Sequence, residues 1–154
     1  MLAFQMSKKK RDEDYKIAHV AIAVPNVKQA LDAWRRILSL QASEAEEVAS
    51  QKVRLQFVEI GGVRLEFLEP TSEDSPISKF LQKRGSGIHH LAIEVSNLAA
   101  KLSELKNAGI ALIDEVPKKG ADGCLVAFIH PKSTAGILVE LVEREGEISS
   151  HSPT

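Results

Sequence analysis

The chain has 154 residues, of which 44% are hydrophobic and 27% charged, and its net charge is −1. This suits one ordinary domain, or two small halves sharing a core, and offers no basis for a nucleic-acid or membrane surface. The single cysteine, Cys124, excludes an intrachain disulfide.

No apolar run reaches the roughly 18 residues of a membrane-spanning helix. Residues 1–14 mix acids with bases and lack the apolar stretch of a signal peptide. Together with the lone cysteine, this gives a cytoplasmic expectation. Residues 1–14 and 145–154 read as disordered, solvated tails around one domain at 15–144.

Ile17 to Val24 is a short apolar run closed by Pro25, and it predicts a strand. Asn26 is a helix N-cap, and Val27, Ala30, Leu31, Trp34, Ile37 and Leu38 fall at helical spacing up to Leu38. Leu40 to Glu47 fits a weak edge strand. Val53 to Ile60 alternates as a strand, Gly61-Gly62 is a hairpin turn, and Val63 to Glu69 is the returning strand. After a polar linker, Ser75 and Pro76 predict the cap and first residue of a short helix, Ile77 to Lys83.

The pattern then starts again. Ile88 to Val95 reads as a strand, Leu98 to Ala108 as a helix ended by Gly109, and Ala111 to Val116 as a strand ended by Pro117. A Gly-containing loop leads to strands Cys124 to Ile129 and Ile137 to Val142, joined by His130 to Gly136. The order is βαβββ twice, over residues 15–72 and 86–144, with a short helix between. Such repeats bury one shared face.

The repeat is also visible residue by residue. I-A-H-V-A-I-A-V-P-N, residues 17–26, overlays I-H-H-L-A-I-E-V-S-N, residues 88–97, pairing His19 with His90 and Asn26 with Asn97. V-R-L-E-F-L-E, residues 63–69, overlays I-L-V-E-L-V-E, residues 137–143, pairing Glu66 with Glu140. A glutamate within an apolar strand is costly unless it is paired or bound to a metal. Two imidazoles and two carboxylates suit one divalent ion such as Co, Mn, Ni, Zn or Mg, with positions left for a bidentate substrate.

A single His or Glu on a strand is more often structural than a ligand. Recurrence of both types in the same register twice favours a metal site. Strict alternation places His19 with Ile17, Ala21 and Ala23, and His90 with Ile88 and Ala92. It lets only one of His89 and His90 face inward, leaving His89 an outward or supporting role. Glu69 and Glu143 also repeat, three residues after their partners, and read as surface groups. His130 suits a loop or substrate contact, and His151 lies in the tail.

On these segments, with R-L-E-F-L-E-P-T-S-E-D-S-P-I, F-L-Q-K-R-G-S-G-I-H-H and F-I-H-P-K-S-T-A-G-I, the chain resembles the vicinal oxygen chelate superfamily. Within it, the chain is similar to the methylmalonyl-CoA epimerases. The resemblance implies an α+β glyoxalase-type fold, in which two paired βαβββ modules form a cleft around one metal. It implies His19, Glu66, His90 and Glu140 as ligands, Glu140 also as a catalytic group, and a homodimer.

The implied reaction moves the C2 proton of methylmalonyl-CoA through an enolate. Some members carry a glutamate near the position of Leu55; Glu44, Glu47 or a metal-bound water could stand in here. Lys118, Lys119 and Lys132 are possible contacts for the acyl-CoA substrate. Two other functions use the same fold: glyoxalase I-like isomerisation of glutathione hemithioacetals, and non-catalytic binding of a small molecule. A dioxygenase fits less well, because a fourth ligand fills a position that oxygen would need.

Overall fold

The computed structural model describes residues 15–145; the two predicted tails fall almost wholly outside that range. The elements in chain order are β1 (Lys16–Ala23), α1 (Val27–Arg35), β2 (Glu46–Val48), β3 (Val53–Ile60) and β4 (Val63–Pro70), then the linking helix α2 (Pro76–Arg84). The second set is β5 (Gly87–Glu94), α3 (Leu98–Asn107), β6 (Lys118–Lys119), β7 (Leu125–Ile129) and β8 (Val139–Glu143). All eight strands form one mixed sheet in the order β2-β3-β4-β1-β5-β8-β7-β6.

The sheet has the symmetry of the repeat. β1 runs parallel to β4, β5 runs parallel to β8, and the two halves meet where β1 and β5 pair antiparallel at the centre. The four ligand candidates therefore lie on the four central strands. In one module Ala21 pairs with Glu66, and in the other Ala92 pairs with Glu140.

The helices form where their caps allow. The Asn26 side chain accepts from Gln29 N at 2.9 Å, and Asn97 accepts from Ala100 N at 3.0 Å. Helix α1 buries Val27 and Leu31 in a cluster with Val58 and Phe67, while α3 buries Leu98 and Leu102 against Ala127 and Leu141. Burying each such side chain contributes about 1.5–3 kcal/mol. Ser75 caps α2 and Pro76 begins it, as the sequence predicts. Gly61 and Gly62 take positive φ, +57° and +80°, as a tight hairpin between right-twisted strands requires.

Two predicted elements are shorter than expected. The Leu40–Glu47 strand shrinks to a bridge at Ala42 and the three residues of β2. The Ala111–Val116 strand reduces to a bridge at Leu112, with pairing resuming at Lys118. Asp114 is the cause in the second case. Its carboxylate accepts from Phe128 N at 2.9 Å, and Ile113 N and Asp114 N both donate to Phe128 O. A side chain thus takes a place in the ladder that the backbone would hold. Helix α1 also stops at Arg35, short of Leu38, leaving Ile37 exposed.

Candidate metal centre

The antiparallel seam of β1 and β5 contains two register shifts, one at Ala18 and one at His89. Each shift adds a residue to one strand and re-aims the side chains beside it. Strict alternation therefore fails where it matters. Ile17 and Ile88, expected to share a face with the histidines, are 55% and 68% exposed, whereas His19 and His90 are buried. His89 does not point away either. It is half-buried, its Nδ1 lies 2.8 Å from His90 Nδ1, and its ring packs edge-on to Phe80 at 5.0 Å.

The four repeat-paired groups converge at the centre of the sheet. His19 Nε2 is 3.2 Å from His90 Nε2 and 2.9 Å from Glu66 Oε2. Glu140 lies 3.7 Å from His19 through Oε1 and 3.4 Å from His90 through Oε2. The ligand atoms of His19, His90 and Glu140 all fall within 4.8 Å of one another. Glu66 adjoins this trio at His19.

All four are buried, none more than 8% exposed. Glu66 Oε2 has no hydrogen-bond partner despite its closeness to His19. A buried carboxylate oxygen without a donor is strongly unfavourable. A cation among these groups would satisfy it, so the donor set fits a divalent ion.

Electrostatics support the same reading. Burial, then the neighbouring His19 and His89, hold His90 well below the usual imidazole range, so that its ring is neutral and able to ligate. Burial lowers His89 to about 4, with the Glu66 carboxylate opposing. Burial raises the Glu140 carboxyl well above its ordinary value, and Glu66 and Asp114 add to this while Lys118 opposes it. Two carboxylates confined together in low dielectric raise one another's proton affinity unless a positive charge lies between them.

Two cavities flank the histidine pair. A narrow one, about 20 Å³, touches His19, Glu66 and Glu140 and is walled by Phe57, Arg64 and Cys124. A larger one, about 230 Å³, begins at His90 and is mostly apolar, with walls that include Val53, Leu68, Ile77 and Phe128. Lys118 is its one fully charged lining group, held by Asp114 at 2.8 Å. Gln51, from a 3₁₀ turn before β3, borders both spaces.

Of the other predicted contacts, Lys119 and Lys132 are exposed and border neither cavity. His130 caps a 3₁₀ turn, its Nδ1 accepting from Lys132 N at 3.1 Å. Leu55 is 1% exposed within an apolar cluster, and Glu44 and Glu47 are exposed away from the donors. No carboxylate on β2 or β3 reaches the centre among the described residues.

Sequence reasoning passed over Arg64. Its guanidinium lies 3.9 Å over the Phe57 ring and 3.8 Å from Asp122 of the other module. Its place two residues before Glu66, on the same face of β4, was the available signal.

The profile of the glyoxalase/bleomycin resistance protein/dioxygenase superfamily matches residues 18–128. The chain belongs to this superfamily. It is 43% identical to the human mitochondrial methylmalonyl-CoA epimerase over 127 residues, covering 82% of this chain and 72% of that one. It is 38% identical to the ethylmalonyl-CoA/methylmalonyl-CoA epimerase of Cereibacter sphaeroides, covering 82% of this chain and 96% of its relative. The crystal structure of methylmalonyl-CoA epimerase from Mycobacterium tuberculosis superposes with a TM-score of 0.80 at 33% identity, over 86% of this chain and 89% of the other. The α+β fold with two paired modules is thus that of the superfamily, whose members bind a divalent metal.

Proposed function

We propose that this protein is an isomerase that epimerises methylmalonyl-CoA at C2, using one divalent ion held by His19, Glu66, His90 and Glu140. The observation that carries the reading is the convergence of four buried donors from both modules beside an apolar cavity. Its support is the similarity to proteins named for this activity.

The C2 proton of the substrate lies between a thioester carbonyl and a carboxylate. When bound, the metal would supply Lewis-acid polarisation of those oxygens, lowering the cost of the enolate. The chain's own residues do the rest. The walls of the larger cavity, Val53, Leu68, Ile77 and Phe128, exclude water around the reacting carbon. Lys118 offers a charge to the anionic substrate. Glu140, with one oxygen toward each histidine, is the base that takes the C2 proton at its carboxylate. Leu55 holds no proton-transferring group, so the return of a proton to the opposite face does not depend on β3. The protein acts as a homodimer in a reducing, cytoplasmic setting.

The test is proton exchange. Metal-loaded protein is incubated with methylmalonyl-CoA in deuterated water, and the C2 proton is followed by NMR. Loss of that signal well above the protein-free rate, suppressed by chelator and by Glu140→Gln, is expected. Background exchange with metal bound would overturn the reading and direct attention to glutathione hemithioacetals.

A further inference from the structure

The 230 Å³ cavity does not end at its apolar walls. Pro76, His89 and Leu138 border it, and the same three residues border an open groove of about 330 Å³ along α2. The groove face of that helix is Pro76, Lys79, Phe80, Lys83 and Arg84. These positions follow the i, i+3, i+4, i+7, i+8 pattern of a single helix stripe. The opposite side of α2, Ile77 and Leu81, packs into the apolar core. Helix α2 thus starts at the cavity and runs outward for about 12 Å at 1.5 Å per residue.

Three cations stand on this stripe. Among the described residues Lys79, Lys83 and Arg84 have no acidic partner, and no acidic side chain borders the groove. Several other surface cations are neutralised: Lys28 pairs with Asp32, Lys106 with Glu115 and Arg144 with Glu94. Arg36, Lys119 and Lys132 also have no acidic partner among the described residues, but they border neither the cavity nor the groove; what sets α2 apart is three such cations on one helix stripe. The groove lies at the outer end of an apolar passage whose inner end is His90.

We infer that this groove receives the phosphates of the coenzyme A arm, with Lys79, Lys83 and Arg84 as their counter-charges. The inference rests on the acyl-CoA reading above. An acyl-CoA has the matching order of parts: a small acyl group at the reacting centre, a slender pantetheine arm, and a phosphorylated adenosine carrying most of the charge. The cavity, the shared border at Pro76 and Leu138, and the cationic stripe supply sites for these in the same order. Arginine and lysine on a pre-formed helix meet phosphate oxygens with short, charge-assisted hydrogen bonds.

The experiment compares the wild-type protein with Lys83→Glu, with Lys79→Ala/Lys83→Ala, and with Lys28→Ala as a charge control on α1. Each is assayed on methylmalonyl-CoA and on methylmalonyl-pantetheine, which lacks the nucleotide. Binding of adenosine 3′,5′-bisphosphate is measured by calorimetry with and without metal. The groove variants are expected to raise KM for the CoA thioester about ten-fold, to leave kcat in place, and to leave the pantetheine substrate unaffected. They should weaken bisphosphate binding to a similar degree, whereas Lys28→Ala changes nothing.

An active wild type whose KM and bisphosphate affinity are the same in the groove variants overturns the inference. So does a loss of equal size on both substrates, which would indicate altered folding or chemistry. A wild type inactive on methylmalonyl-CoA that binds the bisphosphate through these cations overturns the epimerase reading and supports the groove.

Discussion

His19 Nε2 and His90 Nε2 lie 3.2 Å apart although 71 residues separate them in the chain. The two rings face each other through the same nitrogen, so at most one proton can lie between them. Their close approach in a buried setting is stable when a cation lies against both lone pairs. Removing metal should therefore lower stability. At a hundred-fold excess of metal over Kd, binding contributes about 2.7 kcal/mol, which for a chain of this size is a shift of about 5–10 °C in Tm. Thermal unfolding with and without chelator measures it. His90→Ala should abolish both the shift and the stoichiometric metal found after dialysis, and metal bound by that variant at full stoichiometry would remove His90 from the ligand set.

The alanines between the donors set the space they have. Ala21 is paired with Glu66 on one side and His90 on the other; Ala92 is paired with Glu140 and His19. Both are fully buried. Enlarging either by two methyl groups forces neighbours out of place, at about 1–3 kcal/mol. Ala21→Val and Ala92→Val are expected to lose metal affinity more than their modest loss of Tm would suggest, read by metal titration of the folded variants. Unchanged affinity in both would show that the donors do not depend on this spacing.

Glu69 and Glu143, which read from sequence as surface groups, have a role. Neither α1 nor α3 has an acidic residue in its first turn. Instead the neighbouring strand supplies one: Glu69 accepts from Val27 N at 3.0 Å, and Glu143 accepts from Leu98 N at 3.3 Å. A carboxylate at a helix N-terminus stabilises it through the unpaired amides and the helix dipole, by about 0.3–1 kcal/mol. Glu69→Ala and Glu143→Ala should each lower Tm by a few degrees, less so at high salt. Activity should remain, because neither borders a cavity.

The sequence was legible in proportion to how far local rules governed it. Strand and helix order, the caps at Asn26, Asn97 and Ser75, and the convergence of His19, Glu66, His90 and Glu140 all follow from periodicity and from the repeat. The facing of His89 did not follow, because an inserted residue in a strand shifts register without leaving a mark in composition. The strand expected at Ala111–Val116 was lost to the Asp114 carboxylate, a contact between residues far apart in the chain. The cations of α2 were passed over for Lys132 because only the packing of Ile77 and Leu81 into the core beside β4 shows which face of α2 is open.

Cys124 borders the narrow cavity with His19, Glu66 and Glu140, and burial raises its thiol above the usual value of 9.0, with Arg144 opposing and Asp122 adding. The reactive species is the thiolate, so a raised value makes the group slow at neutral pH. Alkylation by iodoacetamide should be slower than that of a free thiol at pH 7 and should still be climbing at pH 10, where the free thiol is levelling off. Mass spectrometry over a pH series gives both rates. Cys124 borders two spaces, the narrow cavity of about 20 Å³ beside the donors and an open groove of about 630 Å³ on its other side, and a carboxamidomethyl group that enters the narrow one displaces the donors next to it. Labelled protein is therefore expected to bind metal more weakly, while Cys124→Ser protein given the same treatment keeps its affinity. Full metal affinity in the stoichiometrically labelled protein would show that the cavity yields outward, away from the donors.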